Sequence, residues 1–98
     1  MTDLLQDIRN YLDITYEDEA TDQKLDGIIQ RGKVYLDDIA GEKQDYETEG
    51  TARALLFDYC RYARNNALEL FEENFQSDLI GFRMEVQANG YAKEKGYV

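Results

Sequence analysis

TARALLFDYCRYARNNALELFEENF, residues 51–75, is the stretch on which the fold turns. It holds neither proline nor glycine. As a single helix rising about 1.5 Å per residue it would span roughly 37 Å, more than the diameter of a small domain. Leu55, Leu56, Tyr59, Ala63, Asn66, Ala67 and Leu70 recur at steps of three and four, which predicts one buried stripe along one helix. The rest of the chain has to pack on that stripe.

Upstream, EKQDYETEG (42–50) carries four acids against one lysine and predicts a loop between antiparallel helices. Before it, Leu25, Ile28, Ile29, Gly32, Leu36 and Ile39 predict a helix from about Asp18 or Thr21 to Ala40, with Gly41 as a left-handed terminator. Gly27 and Gly32 each weaken that helix by about 1 kcal/mol relative to Ala. Gly32, on the apolar stripe, would let a neighbouring helix come close. A first helix is capped by Thr2 or Asp3, shows Leu4, Leu5, Ile8 and Leu12 on its apolar face, and ends near Leu12 or Ile14. The acidic connector 15–22 comes next, placing negative charge where the next helix dipole favours it.

Downstream, the apolar phase changes near 74–77 and Ser77 offers a cap. A fourth helix is expected from Asp78 to about Asn89, carrying Leu79, Phe82, Met84 and Val86. The tail GYAKEKGYV is small and basic, and is expected to be extended or disordered. The predicted fold is all-α: a small antiparallel bundle of about four helices over 1–90, with a mobile C-terminal tail over 91–98.

Composition narrows the function. A domain of 98 residues buries only about two thirds of its unfolded surface, so contacts between subunits would add to stability. The chain has no Pro, no Trp and no His, hence no ordinary general base near neutral pH and no imidazole metal ligand. Net charge is -10, with 14 acids and 5 bases in residues 1–49 against 7 and 6 in 50–98. Such a chain repels duplex phosphates, although acidic surfaces also serve solubility alone. Cys60 is the single cysteine, so no intrachain disulfide can form. MTDLLQDIRN lacks the apolar run of a signal peptide, and no window approaches 18 apolar residues. A soluble, intracellular protein without membrane contact is expected.

Motifs for chemistry fail on inspection. GIIQRGKV (27–34) approaches the phosphate loop, but Val34 brings no hydroxyl to magnesium and the segment lies within a helix pattern. In 18–22, Ala20 replaces a calcium ligand and Gln23 stands where the turn glycine is needed. Cys60 has no histidine to activate it. No carboxylate pair is forced into an apolar setting. No enzyme, cofactor or metal is expected.

Three features point to contacts instead. Asn66 falls on the stripe beside Asn65, either as a hydrogen-bonded core amide or as a polar residue fixing register or a subunit contact. Arg53, Arg61 and Arg64 face outward on the long helix, placed to meet acids such as Asp37 and Asp38 within one subunit or across to a neighbour; solvated surface charge is the equal alternative. Such complementarity suits a head-to-tail ring. Eight tyrosines exceed what a core of this size needs, and tyrosine is favoured at interfaces.

The segments LLQDIRNYLDITYEDEATDQKLDGIIQRGKVYLDDIAG (4–41) and LLFDYCRYARNNALELFEENF (55–75) together resemble the head–tail connector proteins of tailed bacteriophages and prophages, sometimes described as DNA-packaging proteins. The resemblance covers nearly the whole chain, is strongest in the second segment and weakest in the tail. It implies a small helical adaptor that forms a ring, usually twelvefold in the virion, under the portal protein. The ring extends the DNA channel, lets packaged DNA pass without sequence-specific binding, and docks the next head-completion or tail-connector protein. The implied location is the virion neck, with the host cytoplasm during assembly. Portal contacts in that family involve a C-terminal arm, which corresponds here to 91–98, with Tyr91, Lys93, Lys95 and Tyr97 as candidate contacts. The rival from another class is a small acidic DNA mimic that blocks a host nucleic-acid-binding protein.

Overall fold

Two side-chain-bearing residues held in left-handed backbone decide where helices stop. The computed structural model describes residues 4–15 and 18–94, with side chains described as far as Gly90. It contains α1 (Leu4–Tyr11), α2 (Glu19–Ala40), α3 (Thr51–Arg64), α4 (Leu68–Asn74) and α5 (Gln76–Glu94), and no strand among the described residues. The fold is all-α. The expected caps Thr2 and Asp3 lie outside the described residues, as does the end of the tail.

α1 stops because Asp13 turns left-handed at φ 60°. The Asp13 N–H then donates to Asn10 O (3.2 Å) and the Ile14 N–H reaches back to Arg9 O (2.9 Å), satisfying carbonyls a helix end leaves bare. The same pair of bonds closes α3. Asn66 has φ 54°, its N–H donates to Ala63 O (3.1 Å), and the Ala67 N–H donates to Tyr62 O (2.9 Å). α2 begins on Asp18, whose carboxylate accepts from the Ala20 N–H and the Thr21 hydroxyl, and ends on Gly41 at φ 87°.

The unbroken helix expected over 51–75 is therefore corrected to two helices. Asn tolerates left-handed backbone better than any other residue in this stretch, and adjacent asparagines have poor helix propensity. The break rephases the residues downstream of it. Phe71 enters the core at 1 % exposure, while Leu70, expected on the stripe, is 48 % exposed. Asn66 is exposed as well and is no core amide. A second break, at Phe75 alone, separates α4 from α5 close to the expected position. Ser77 sits inside α5 and does not cap it, and the helix continues past Asn89 to Glu94.

α2 and α3 form an antiparallel hairpin, and α1 and α5 pack on it. The two hairpin helices come closest at Gly32, where an added Cβ would lie 2.7 Å from Leu56 Cδ1 and 2.8 Å from Tyr59 Cδ1. Ile8, Leu36, Leu56 and Cys60 are fully enclosed. Burial pushes the Cys60 thiol up to about 12, so it serves as a small apolar side chain. Phe71 is the aromatic hub, with ring centroids at 4.8 Å (Phe75), 5.7 Å (Tyr59), 5.7 Å (Tyr62) and 6.2 Å (Tyr35). These edge and offset contacts tie α4 to α2 and α3.

The molecule is flat, 48 × 33 × 17 Å, with a radius of gyration of 14.6 Å. A compact chain of this length would give about 13 Å. α5 contributes to this breadth: it buries Leu79 and Phe82, half-buries Val86, and exposes the other side chains described after Phe82.

Candidate functional site

Of the three arginines expected on the surface, Arg53 is corrected. It is 7 % exposed, held by the Tyr46 carbonyl and the Asp7 carboxylate, with the solvent-exposed Glu49 as a third acceptor. Nη1 donates to Tyr46 O (3.0 Å), Nη2 to Asp7 Oδ2 (2.7 Å), and Nε lies 3.3 Å from Glu49 Oε1. Its carbon stacks over Phe57 at 4.8 Å. Arg53 thus joins α1, the 41–50 loop and α3 within one subunit, and it meets neither Asp37 nor Asp38.

Asp37 is committed internally too. Its Oδ1 accepts from the Tyr46 hydroxyl (2.7 Å) and from the Gln44 N–H (3.0 Å). Burial first, then the Asp37 carboxylate, raises the Tyr46 hydroxyl far above its ordinary value. Tyr46 is 5 % exposed, so the loop hangs on a buried aromatic anchor. Its acids Glu42, Asp45, Glu47 and Glu49 all point to solvent.

Arg61 lies 3.4 Å from Asp58 on its own helix and over the Tyr62 ring at 5.0 Å. The Tyr11 hydroxyl donates to the same Asp58 carboxylate (2.8 Å). Asp38 is exposed at a groove between α2, α4 and α5, lined also by Tyr35, Ile39, Glu72, Ile80 and Arg83. Ile80 and Met84, one helical turn apart, are 55 % and 63 % exposed. Tyr91, Lys93, Lys95 and Tyr97 are beyond the described side chains.

Arg64 is placed differently. With Lys24 and Arg31 it lines a cleft between the first half of α2 and the end of α3, alongside Gln23, Asn65 and Asn66. No acid is among the described residues lining this cleft, although acids outnumber bases 21 to 11 in the chain. Lys24 and Arg31 are seven positions apart and so share a helix face, the one signal that could have picked them out. Sequence reading missed them because Asp22 and Asp26 flank Lys24, and because Arg64 joins Lys24 and Arg31 only through the hairpin.

Chemically, the surface offers charged and apolar recognition. No group of three or more His, Cys, Asp or Glu that could hold a metal ion occurs among the described residues. No helix among them is long and apolar enough to cross a membrane. Compared with protein-family models, with curated proteins and with solved structures, the chain finds no match in any of the three.

Proposed function

We propose that the protein is a structural head–tail connector of a tailed bacteriophage or prophage, acting as an oligomeric adaptor between the portal and the next neck or tail component. The observation that carries this reading is the exposed stretch of α5. The helix continues for about 18 Å beyond Phe82, yet Val86 is the one described side chain there that is half-buried. It also presents Ile80 and Met84 outward, as a helix does when its apolar side chains await a partner. That is the segment from which the resemblance leads a C-terminal arm toward the portal. The resemblance of 4–41 and 55–75 supports the same reading, as do the uneven charge and the exposed acidic loop, which suit contacts between unlike surfaces of successive copies.

The test is co-sedimentation with purified portal, with electron microscopy for rings on the portal and in free solution. Attachment with ring density beneath the portal is expected. A chain that ignores portal and stays monomeric counts against the reading. The 14 acids of residues 1–49 keep the DNA-mimic reading in play. Competition with duplex DNA for a host nucleic-acid-binding protein, without portal attachment, would favour that rival.

A further inference from the structure

The cleft formed by Lys24, Arg31 and Arg64 is a concentration of positive charge in an acidic molecule. Among the described residues, none of the three makes an ion pair with a carboxylate. Arg64 in the last turn of α3 offsets the helix dipole, but Lys24 and Arg31 lie within α2 and have no such role. Asn66 adds a side-chain amide to the lining, while the Asn65 amide already donates to Arg61 O (2.9 Å). The site is suited to a carboxylate-bearing segment.

The matching segment is in the same chain. Glu49 is taken by Arg53 and Asp45 accepts from the Glu47 N–H, which leaves Glu42 and Glu47 as the exposed, uncommitted acids of the 41–50 loop. The loop is already shaped by Tyr46, Asp37 and the bond from the Glu47 N–H to Asp45 (2.8 Å), so little ordering is lost on binding. It cannot reach its own cleft. The loop leaves α2 at Gly41, ten residues beyond Arg31 and seventeen beyond Lys24, or about 15–25 Å along the helix. We infer that the acidic loop of one copy docks in the Lys24–Arg31–Arg64 cleft of the next. The contact joins unlike surfaces, so it propagates head to tail and closes into a ring when the rotation allows. The ring rests on the connector reading; the pairwise contact stands on charge and geometry alone.

The experiment is sedimentation velocity over a concentration series at 50 mM and 500 mM NaCl. The wild-type chain is compared with Lys24→Glu/Arg31→Glu and Glu42→Lys/Glu47→Lys. Self-association at low salt, at least tenfold weaker at high salt and in each variant alone, and restored when the two variants are mixed, is the expected result. A second arm is independent of the charge variants' stability. Glu47→Cys and Arg64→Cys chains are mixed and oxidised, and the mixed disulfide should exceed random pairing. A wild-type chain that stays monomeric throughout overturns the inference, as does association untouched by both variants. So does a cleft variant that loses affinity for a short DNA duplex while still self-associating, since the cleft would then serve nucleic acid. Portal binding is scored separately. Charge-dependent self-association without portal binding upholds this contact and overturns the connector reading; portal binding by a chain that never self-associates does the reverse.

Discussion

Gly32 and Tyr59 touch so closely that no side chain fits between them: a Cβ on Gly32 would sit 2.8 Å from Tyr59 Cδ1. Leu56 Cδ1 is nearer still, at 2.7 Å, and fully buried. Tyr59 cannot yield without shifting its edge contact with Phe71 (5.7 Å), and Leu56 is fully enclosed. Gly32→Ala should therefore cost about 1–3 kcal/mol despite the better helix propensity of Ala. Gly27 is the control in the same helix. There an added Cβ meets only the far end of the Arg31 side chain, at 3.3 Å, which can swing away. Gly27→Ala should stabilise by up to about 1 kcal/mol. Urea denaturation of the two variants checks both signs, and destabilisation by Gly27→Ala to the same degree would refute the contact argument.

Arg53 holds three parts of the chain through one guanidinium, so its loss should exceed that of any single partner. Arg53→Met keeps apolar volume over Phe57 but strands Tyr46 O and Asp7. The cost should be about 2 kcal/mol, below the full value for a buried pair because Asp7 is 38 % exposed. Asp7→Asn keeps an acceptor and should cost less than half as much. Equal losses in the two variants would show that the Asp7 pair alone carries the effect.

These contacts explain which features were legible in the sequence and which were not. The stripes on α2 and α3 were legible because burial repeats at helical spacing, and Gly41 and Gly32 because glycine has few other reasons to stand there. The break at Asn65 and Asn66 was not, since an asparagine on an apolar stripe reads equally as a buried amide. Its left-handed backbone is what rotates Leu70 out and Phe71 in. Arg53 was misplaced for a similar reason. Its partners Asp7 and Tyr46 lie 46 and 7 positions away, and only packing brings them to one guanidinium. Arg64 gained meaning only once the hairpin set it beside Lys24 and Arg31.

The two left-handed residues give a direct test of the helix ends. Asn66 at φ 54° and Asp13 at φ 60° hold a conformation that glycine adopts without a Cβ clash. Asn66→Gly and Asp13→Gly should each be neutral to stabilising by about 0.5–1 kcal/mol, whereas Asn66→Ala should destabilise by about 1 kcal/mol. Thermal unfolding monitored at 222 nm distinguishes them. Were Asn66→Ala to raise stability, α3 and α4 would be joining into the continuous helix that the sequence pattern suggests.

Alkaline pH should loosen the fold. Burial holds the Cys60 thiol up at about 12, and it is the main cause raising the hydroxyls of Tyr11, Tyr35, Tyr46 and Tyr59. In the unfolded chain the thiol releases its proton near 9.0 and the hydroxyls near 10.0. Between those values and the folded ones, the unfolded state binds fewer protons, so stability falls as pH rises. It is fully present below about pH 9 and is lost progressively above. The urea midpoint should fall from about pH 9 upward, with a shallower fall in Tyr46→Phe and Cys60→Ala. A midpoint that rises between pH 9 and 11 would contradict the burial of Cys60, Tyr46 and Tyr59 in the core.

The last prediction separates the arm from the fold. Ending the chain after Gly90 removes Tyr91, Lys93, Lys95 and Tyr97 and only the final turn of α5. The core residues of that helix, Leu79 and Phe82, lie two turns or more upstream, with Val86 half-buried one turn above the cut. Helical circular dichroism and cooperative unfolding should therefore persist, with a midpoint within a few degrees of the full chain. Portal attachment should weaken at least tenfold. Lys93→Glu/Lys95→Glu and Tyr91→Ala/Tyr97→Ala then divide that loss between charge and aromatic contact, because the charge pair alone makes attachment salt-dependent. Truncation that abolishes cooperative unfolding would mean that the end of α5 completes the core and is no arm. A truncated chain that folds and still binds portal as before would move the contact up the helix, to the exposed Ile80 and Met84.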